Sequence, residues 1–120
     1  YFMLGMYGDS IESMERTLAL SKQLVCDVVN FAIATPYPGT AWGRIATENK
    51  WLTTDNWDSY DQNYSAIVDQ PSNPHEGVVR MQRRAYLQWY GSWRGLKFLC
   101  QAWRPRYARF FYQVIKAHLT

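Results

Sequence analysis

The chain of 120 residues is poor in several residue types, and each shortage removes a class of protein. Cysteine occurs twice, as Cys26 and Cys100, far apart and each among apolar neighbours. A disulfide framework or a Cys/His metal site needs partners at close spacing, so both read as buried thiols acting as small apolar residues. That usage fits a reducing, cytoplasmic setting. Histidine is equally scarce, and His75 and His118 read as exposed side chains near a helix start and a chain end. No apolar run approaches the roughly 20 residues that cross a bilayer, and no leader opens the sequence. Tyr1 lies inside an apolar run, so the chain reads as a piece of a longer protein. Gly5 and Gly8 lack the lysine and spacing of a phosphate-binding loop. Asp55, Asp58 and Asp61 lack the 12-residue calcium pattern and read as caps and turn formers. No metal site and no catalytic side chain is expected.

Acid is missing altogether from residues 77–120, which carry nine basic residues. Residues 1–76 hold all ten acids and only Arg16, Lys22, Arg44 and Lys50, so the two parts carry −6 and +9 and sum to +3. Such a split points to a tail that faces something anionic or lies on an acidic body.

What is present is a strand–turn–helix pattern written twice. Residues 1–5 are apolar, Met6-Tyr7-Gly8 is a turn, and Asp9 with Glu12 has capping-box form. Ile11, Met14, Leu18, Ser21 and Val25 then fall on one helical face. Residues 28–34 are apolar at almost every position, as suits a strand buried on both faces of a parallel sheet. Pro36, Pro38 and Gly39 end it, and Thr40 caps a helix over 41–48. Residues 51–73 hold no period and read as a long ordered loop with a helical turn, pinned by Trp57 and Tyr60. Asn73 as N-cap, Pro74 and Glu76 start a helix with the apolar stripe Val78, Met81, Ala85 and Trp89. Gly91 or Gly95 interrupts it, residues 96–103 resume it, and a last helix runs from Pro105 to about Leu119. The expected class is α/β, with residues 1–50 as two βα units, 51–73 as the loop and 74–120 as a helical tail.

Leu4-Gly5-Met6-Tyr7-Gly8-Asp9 after one strand, Ala34-Thr35-Pro36-Tyr37-Pro38-Gly39-Thr40 after the next, the Asn56-Trp57-Asp58 loop and Arg84-Ala85-Tyr86 come in a telling order. Over about residues 1–90 this order resembles the C-terminal part of radical S-adenosylmethionine (SAM) enzymes. It is closest to the group that also carries a cobalamin-binding domain. The resemblance implies a fragment of a partial (βα)6 TIM-like barrel, namely two parallel strands with crossover helices, followed by a helical tail. It implies a [4Fe–4S] iron–sulfur cluster, reductive SAM cleavage, and cobalamin-dependent methyl transfer or rearrangement of a small-molecule substrate. The Cys-x3-Cys-x2-Cys ligand motif of the cluster is not in this sequence, so the fragment alone is expected to be inactive and to work with the rest of its polypeptide. Tyr7 stands where the family usually has Pro, and Asp9 where it has Glu. Carried over residue by residue, Leu4, Gly5, Ile33, Ala34 and Thr35 line the SAM adenine. Tyr37 either reaches the substrate cavity or packs on its own turn.

The basic tail supports a rival from another class. Its arginines and lysines alternate with Tyr86, Trp89, Trp93, Phe98 and Phe110. That mixture suits a non-catalytic module binding an anionic partner or, peripherally, the inner membrane surface. A nucleic acid is the least favoured partner. The other reading buries the aromatics against the enzyme and pairs the arginines with acids.

Overall fold

In a computed structural model, which describes residues 1–61 and 66–102, the chain is α/β. The order is β1 (Phe2–Leu4), α1 (Ile11–Gln23), β2 (Phe31–Ile33), α2 (Ala41–Glu48), a 3-10 turn (Trp57–Ser59), α3 (His75–Tyr90) and α4 (Trp93–Ala102). The strands pair in parallel, Phe2 against Phe31, Met3 against Ala32 and Leu4 against Ile33. The ladder extends past both strand ends: Phe2 N–H donates to Asn30 C=O and Ala34 N–H to Leu4 C=O, each at 2.8 Å. Strand pairing therefore spans 30–34, and the stretch at 28–29 is outside it. Val28 is exposed and Val29 buried, and neither pairs with β1.

The alternation of a strand sorts the side chains onto two faces. Phe2, Leu4, Phe31 and Ile33 share one face, where α1 and α3 pack on the sheet and on each other. Met14 and Leu18 from α1 and Val78, Met81, Ala85 and Trp89 from α3 complete this core. Met3 and Ala32 face the opposite way, and Met3 is half exposed.

Helix starts show where local chemistry moved an expected cap. Ser10, not Asp9, caps α1: its hydroxyl accepts from Ser13 N–H at 3.2 Å and Ser13 Oγ accepts from Ser10 N–H at 2.9 Å. The Asp9 carboxylate is engaged one step earlier, accepting from Met6 N–H at 3.0 Å and Ser13 Oγ–H at 2.6 Å. Val25 is not on the α1 face, since the helix ends at Gln23 and leaves Val25 exposed. Thr40 caps α2, accepting from Gly43 N–H at 3.0 Å. At α3 the expected cap is displaced: Asn73 is fully buried in a bridge with Gln70, and Pro74 takes the cap position. The Asp69 carboxylate accepts from His75 N–H at 3.2 Å in its place. His75 is correspondingly half exposed beside Asp69 rather than free in solvent.

The α3 side chains also seal the outer edge of β2. Gln82 Nε2 donates to Phe31 C=O at 2.7 Å, Phe31 N–H donates to Tyr86 Oη at 3.1 Å, and Tyr90 Oη–H donates to Val29 C=O at 3.2 Å. Tyr86 Oη–H also bonds Asn30 Oδ1. Helix α3 stops at Gly91 and α4 starts at Trp93, so the interruption falls at the first of the two candidate glycines. Cys26 is half buried and Cys100 exposed, the latter because it lies on the outer side of α4. The expected last helix, from Pro105 to Leu119, lies outside the described residues. Among the described residues, no helix is long and apolar enough to cross a membrane.

Candidate functional site

Both strands of the parallel pair deliver their chain to the same end of the sheet, where the Gly5–Asp9 turn, the Thr35–Thr40 turn and the loop after α2 meet. In open parallel sheets this carboxyl end is where ligands bind. Of the residues expected there, Leu4 and Ile33 place their side chains in the helix-side core, at 0% and 2% exposure. They offer a ligand main-chain atoms only. Ala34 is buried two residues beyond Ala32, on the face away from the helices by strand alternation. Thr35 is half buried, and its hydroxyl donates to Ile33 C=O at 3.3 Å.

Gly5 has φ +78, and a Cβ there would stand 2.9 Å from Val78 Cγ1. The close approach that makes glycine necessary is thus to α3. Beside it, Gln70 Nε2 reaches Gly5 C=O and Met6 C=O at 3.4 and 3.3 Å. Asn73, fully buried next to Gly5, finds no hydrogen-bond partner for either side-chain atom among the described residues.

At the second exit the backbone is held by α2. Thr40 Oγ–H donates to Tyr37 C=O at 2.6 Å, and a Cβ on Gly43 would stand 2.2 Å from that same carbonyl. No larger residue fits between turn and helix. Tyr37 is about half exposed; its ring leans on Tyr60 (centroids 6.2 Å) and its hydroxyl donates to Tyr60 C=O at 3.3 Å. The loop folds back because Asp69 N–H donates to Trp51 C=O at 2.8 Å and Thr53 N–H to Ile67 C=O at 3.0 Å. Between this loop, the Pro36–Thr40 turn and α2 lies an open cleft of about 650 Å³. Arg44, Glu48, Asp55, Trp57 and Tyr60 line it. Trp57 stacks on Tyr60 at 5.2 Å but stays largely exposed, so it faces the cleft and does not pin the loop.

Sequence reading missed this lining, and also a second aromatic group in which Tyr7 contacts Trp42 (5.8 Å) and Trp51 (6.1 Å). The signal available for both was the density of aromatics in 37–60. Among the described residues, no group of three His, Cys, Asp or Glu side chains could hold a metal ion. The described residues therefore do not fit the ligand set of an iron–sulfur cluster.

The basic segment is tied to the body where it is described. Arg84 Nη1 meets Glu15 Oε1 of α1 at 2.7 Å, whereas Arg80 pairs at 3.4 Å with Glu76 of its own helix. Arg94 donates to the carbonyls of Lys22 and Leu24, at the C-terminal end of α1, where a cation meets the negative end of the helix dipole. Arg104, Arg106, Arg109 and Lys116 lie outside the described residues.

The architecture defines an α/β protein whose two parallel strands exit at one end of the sheet. The chain is 33% identical over 89 residues to a protein of Pyrococcus horikoshii described as an uncharacterized methyltransferase. The match takes in 74% of this chain but 19% of the relative, so the chain spans about a fifth of that protein's length. No protein-family model matches the chain, and no solved structure matches it.

Proposed function

We propose that the chain is part of a SAM-dependent methyltransferase of the radical SAM type, contributing the last two βα units of its barrel. The observation that carries the methyl-transfer part of this reading is the 33% identity, across three-quarters of the chain, to a protein described as an uncharacterized methyltransferase; the radical SAM part rests on the resemblance of the two strand-exit turns. The parallel strand pair and the stiff Thr35–Thr40 turn support it, because they give the chain a ligand side of the required kind. In this reading the adenine lies at the strand exits. It packs on the face away from the helices, where Met3, Ala32 and Ala34 stand, and meets main-chain groups of Gly5 and Thr35. The cleft beside Tyr37, Trp57 and Tyr60 forms the substrate side. The cluster chemistry, and cobalamin where it takes part, belongs to other segments of the polypeptide, and the residues described here hold neither. Arg84 engages Glu15 of α1 and Arg94 the end of that helix, which supports a packing role for that segment over a membrane-binding one.

Sequencing the coding region on the 5′ side of Tyr1 tests the proposal. A Cys-x3-Cys-x2-Cys motif in the same reading frame is expected, and a reading frame without one overturns it.

A further inference from the structure

The cleft beside α2 carries a recognition chemistry of its own. Trp57 presents its indole at the mouth with 66% of its surface exposed, yet it is firmly placed. Asn56 Oδ1 accepts from Asp58 N–H at 3.1 Å and fixes the 3-10 turn that carries Trp57. The indole stacks on Tyr60 with planes 29° apart, and Tyr60 leans on Tyr37. Three rings thus form a ladder from the strand exit to the cleft mouth, ending in an open aromatic face.

The charged groups of the lining are Arg44, Glu48 and Asp55, two carboxylates against one guanidinium. None of them is paired among the described residues. The contrast with other helices is informative. Glu12–Arg16 and Glu76–Arg80 close at 2.9 and 3.4 Å at a spacing of four. Arg44 and Glu48 share that spacing in reversed order, which is the weaker orientation on a helix, and they do not close. Both carboxylates therefore remain available to a ligand, in a cleft whose volume of about 650 Å³ is that of small-molecule sites.

An open indole face attracts cations through its quadrupole, tryptophan most strongly, and unpaired carboxylates lining the same cleft act in the same direction. We propose that this cleft binds a small organic cation, an amine or quaternary ammonium group, seated on Trp57 with Asp55 and Glu48 as its counter-charges. The inference rests on reading the cleft as the substrate side of the protein, and it adds the charge class of what enters.

Choline and its uncharged isostere 3,3-dimethylbutan-1-ol are titrated into the full chain, with binding followed by isothermal titration calorimetry. Saturable choline binding is expected, with the isostere weaker by about tenfold. Trp57→Leu, at an exposed position, should weaken choline by about three- to tenfold. Asp55→Asn should weaken it less while leaving the circular dichroism spectrum unchanged. Equal binding of the two compounds, binding unaffected by Trp57→Leu, or no saturation by choline would overturn the proposal. Because the readout is binding, those failures leave the methyltransferase reading standing. A missing upstream cysteine motif would instead remove that reading and leave cation binding in the cleft intact.

Discussion

Gln82 Nε2 donates to the main-chain carbonyl of Phe31 across 2.7 Å, so a helix side chain occupies the position that the next strand of a sheet would fill. Tyr86 does the same for the Phe31 N–H. The even-numbered residues of both strands bond across the ladder, so the polar groups of Phe31 point outward, and α3 satisfies both. On the opposite edge, Met3 N–H and C=O also point outward, without a partner among the described residues.

Two buried amides should respond oppositely to the same replacement. Gln82→Leu leaves the Phe31 carbonyl without its donor and should lower stability by about 1–3 kcal/mol. Asn73→Leu removes two polar atoms that have no partner among the described residues and should be neutral or stabilising, within about 1 kcal/mol. Urea denaturation of both variants decides it. A loss at Asn73 as large as at Gln82 would mean that the Asn73 amide is paired.

The two strand edges should differ in their tolerance of proline. Met3→Pro removes an N–H that points away from β2 and should cost about 1 kcal/mol or less. Ala32→Pro removes a donor inside the ladder and should cost about 3 kcal/mol or more. Comparable midpoints in thermal melts would show that the edge assignment is wrong.

Gly5→Ala should destabilise by about 1–3 kcal/mol, since alanine is strained at φ +78 and its Cβ collides with Val78. Adding Val78→Ala relieves the collision but not the backbone strain. The double variant should therefore lose less than the sum of the two single losses, and strict additivity would rule out the contact.

Burial raises the pKa of Tyr90, with Tyr86 nearby adding to the shift. The folded state thus holds this proton more tightly than the unfolded chain, in which tyrosine ionises near pH 10. The stabilisation is complete below about pH 10 and is lost as pH rises through the higher folded value. Unfolding midpoints measured from pH 8 upward should fall at the alkaline end, and Tyr90→Phe should flatten that fall.

Legibility followed sequence distance. Helix α2 was readable to the residue because its cap, Thr40, and its apolar positions are neighbours in the chain. The α3 stripe at Val78, Met81, Ala85 and Trp89 was readable for the same reason. One-residue errors arose where two good caps stood side by side, as at Asp9 and Ser10, and only the competing bond from Met6 N–H separates them. The exposure of Cys100 depends on which side of α4 meets α3, which composition does not encode. That both strand-exit turns share one end of the sheet followed from strand order, whereas the cleft lining did not: Tyr37 and Tyr60 lie 23 residues apart, and no periodic pattern links them. The sealing of β2 by Gln82, 51 residues away, is of the same kind.

The sealed edge gives the sheet a valence of one. A strand pair open on both sides is a repeating unit that can add neighbours without end, as a bifunctional monomer does. Here α3 acts as a chain terminator beside Phe31, so addition is left to the β1 side, where a preceding strand of the same barrel would join in the proposed reading.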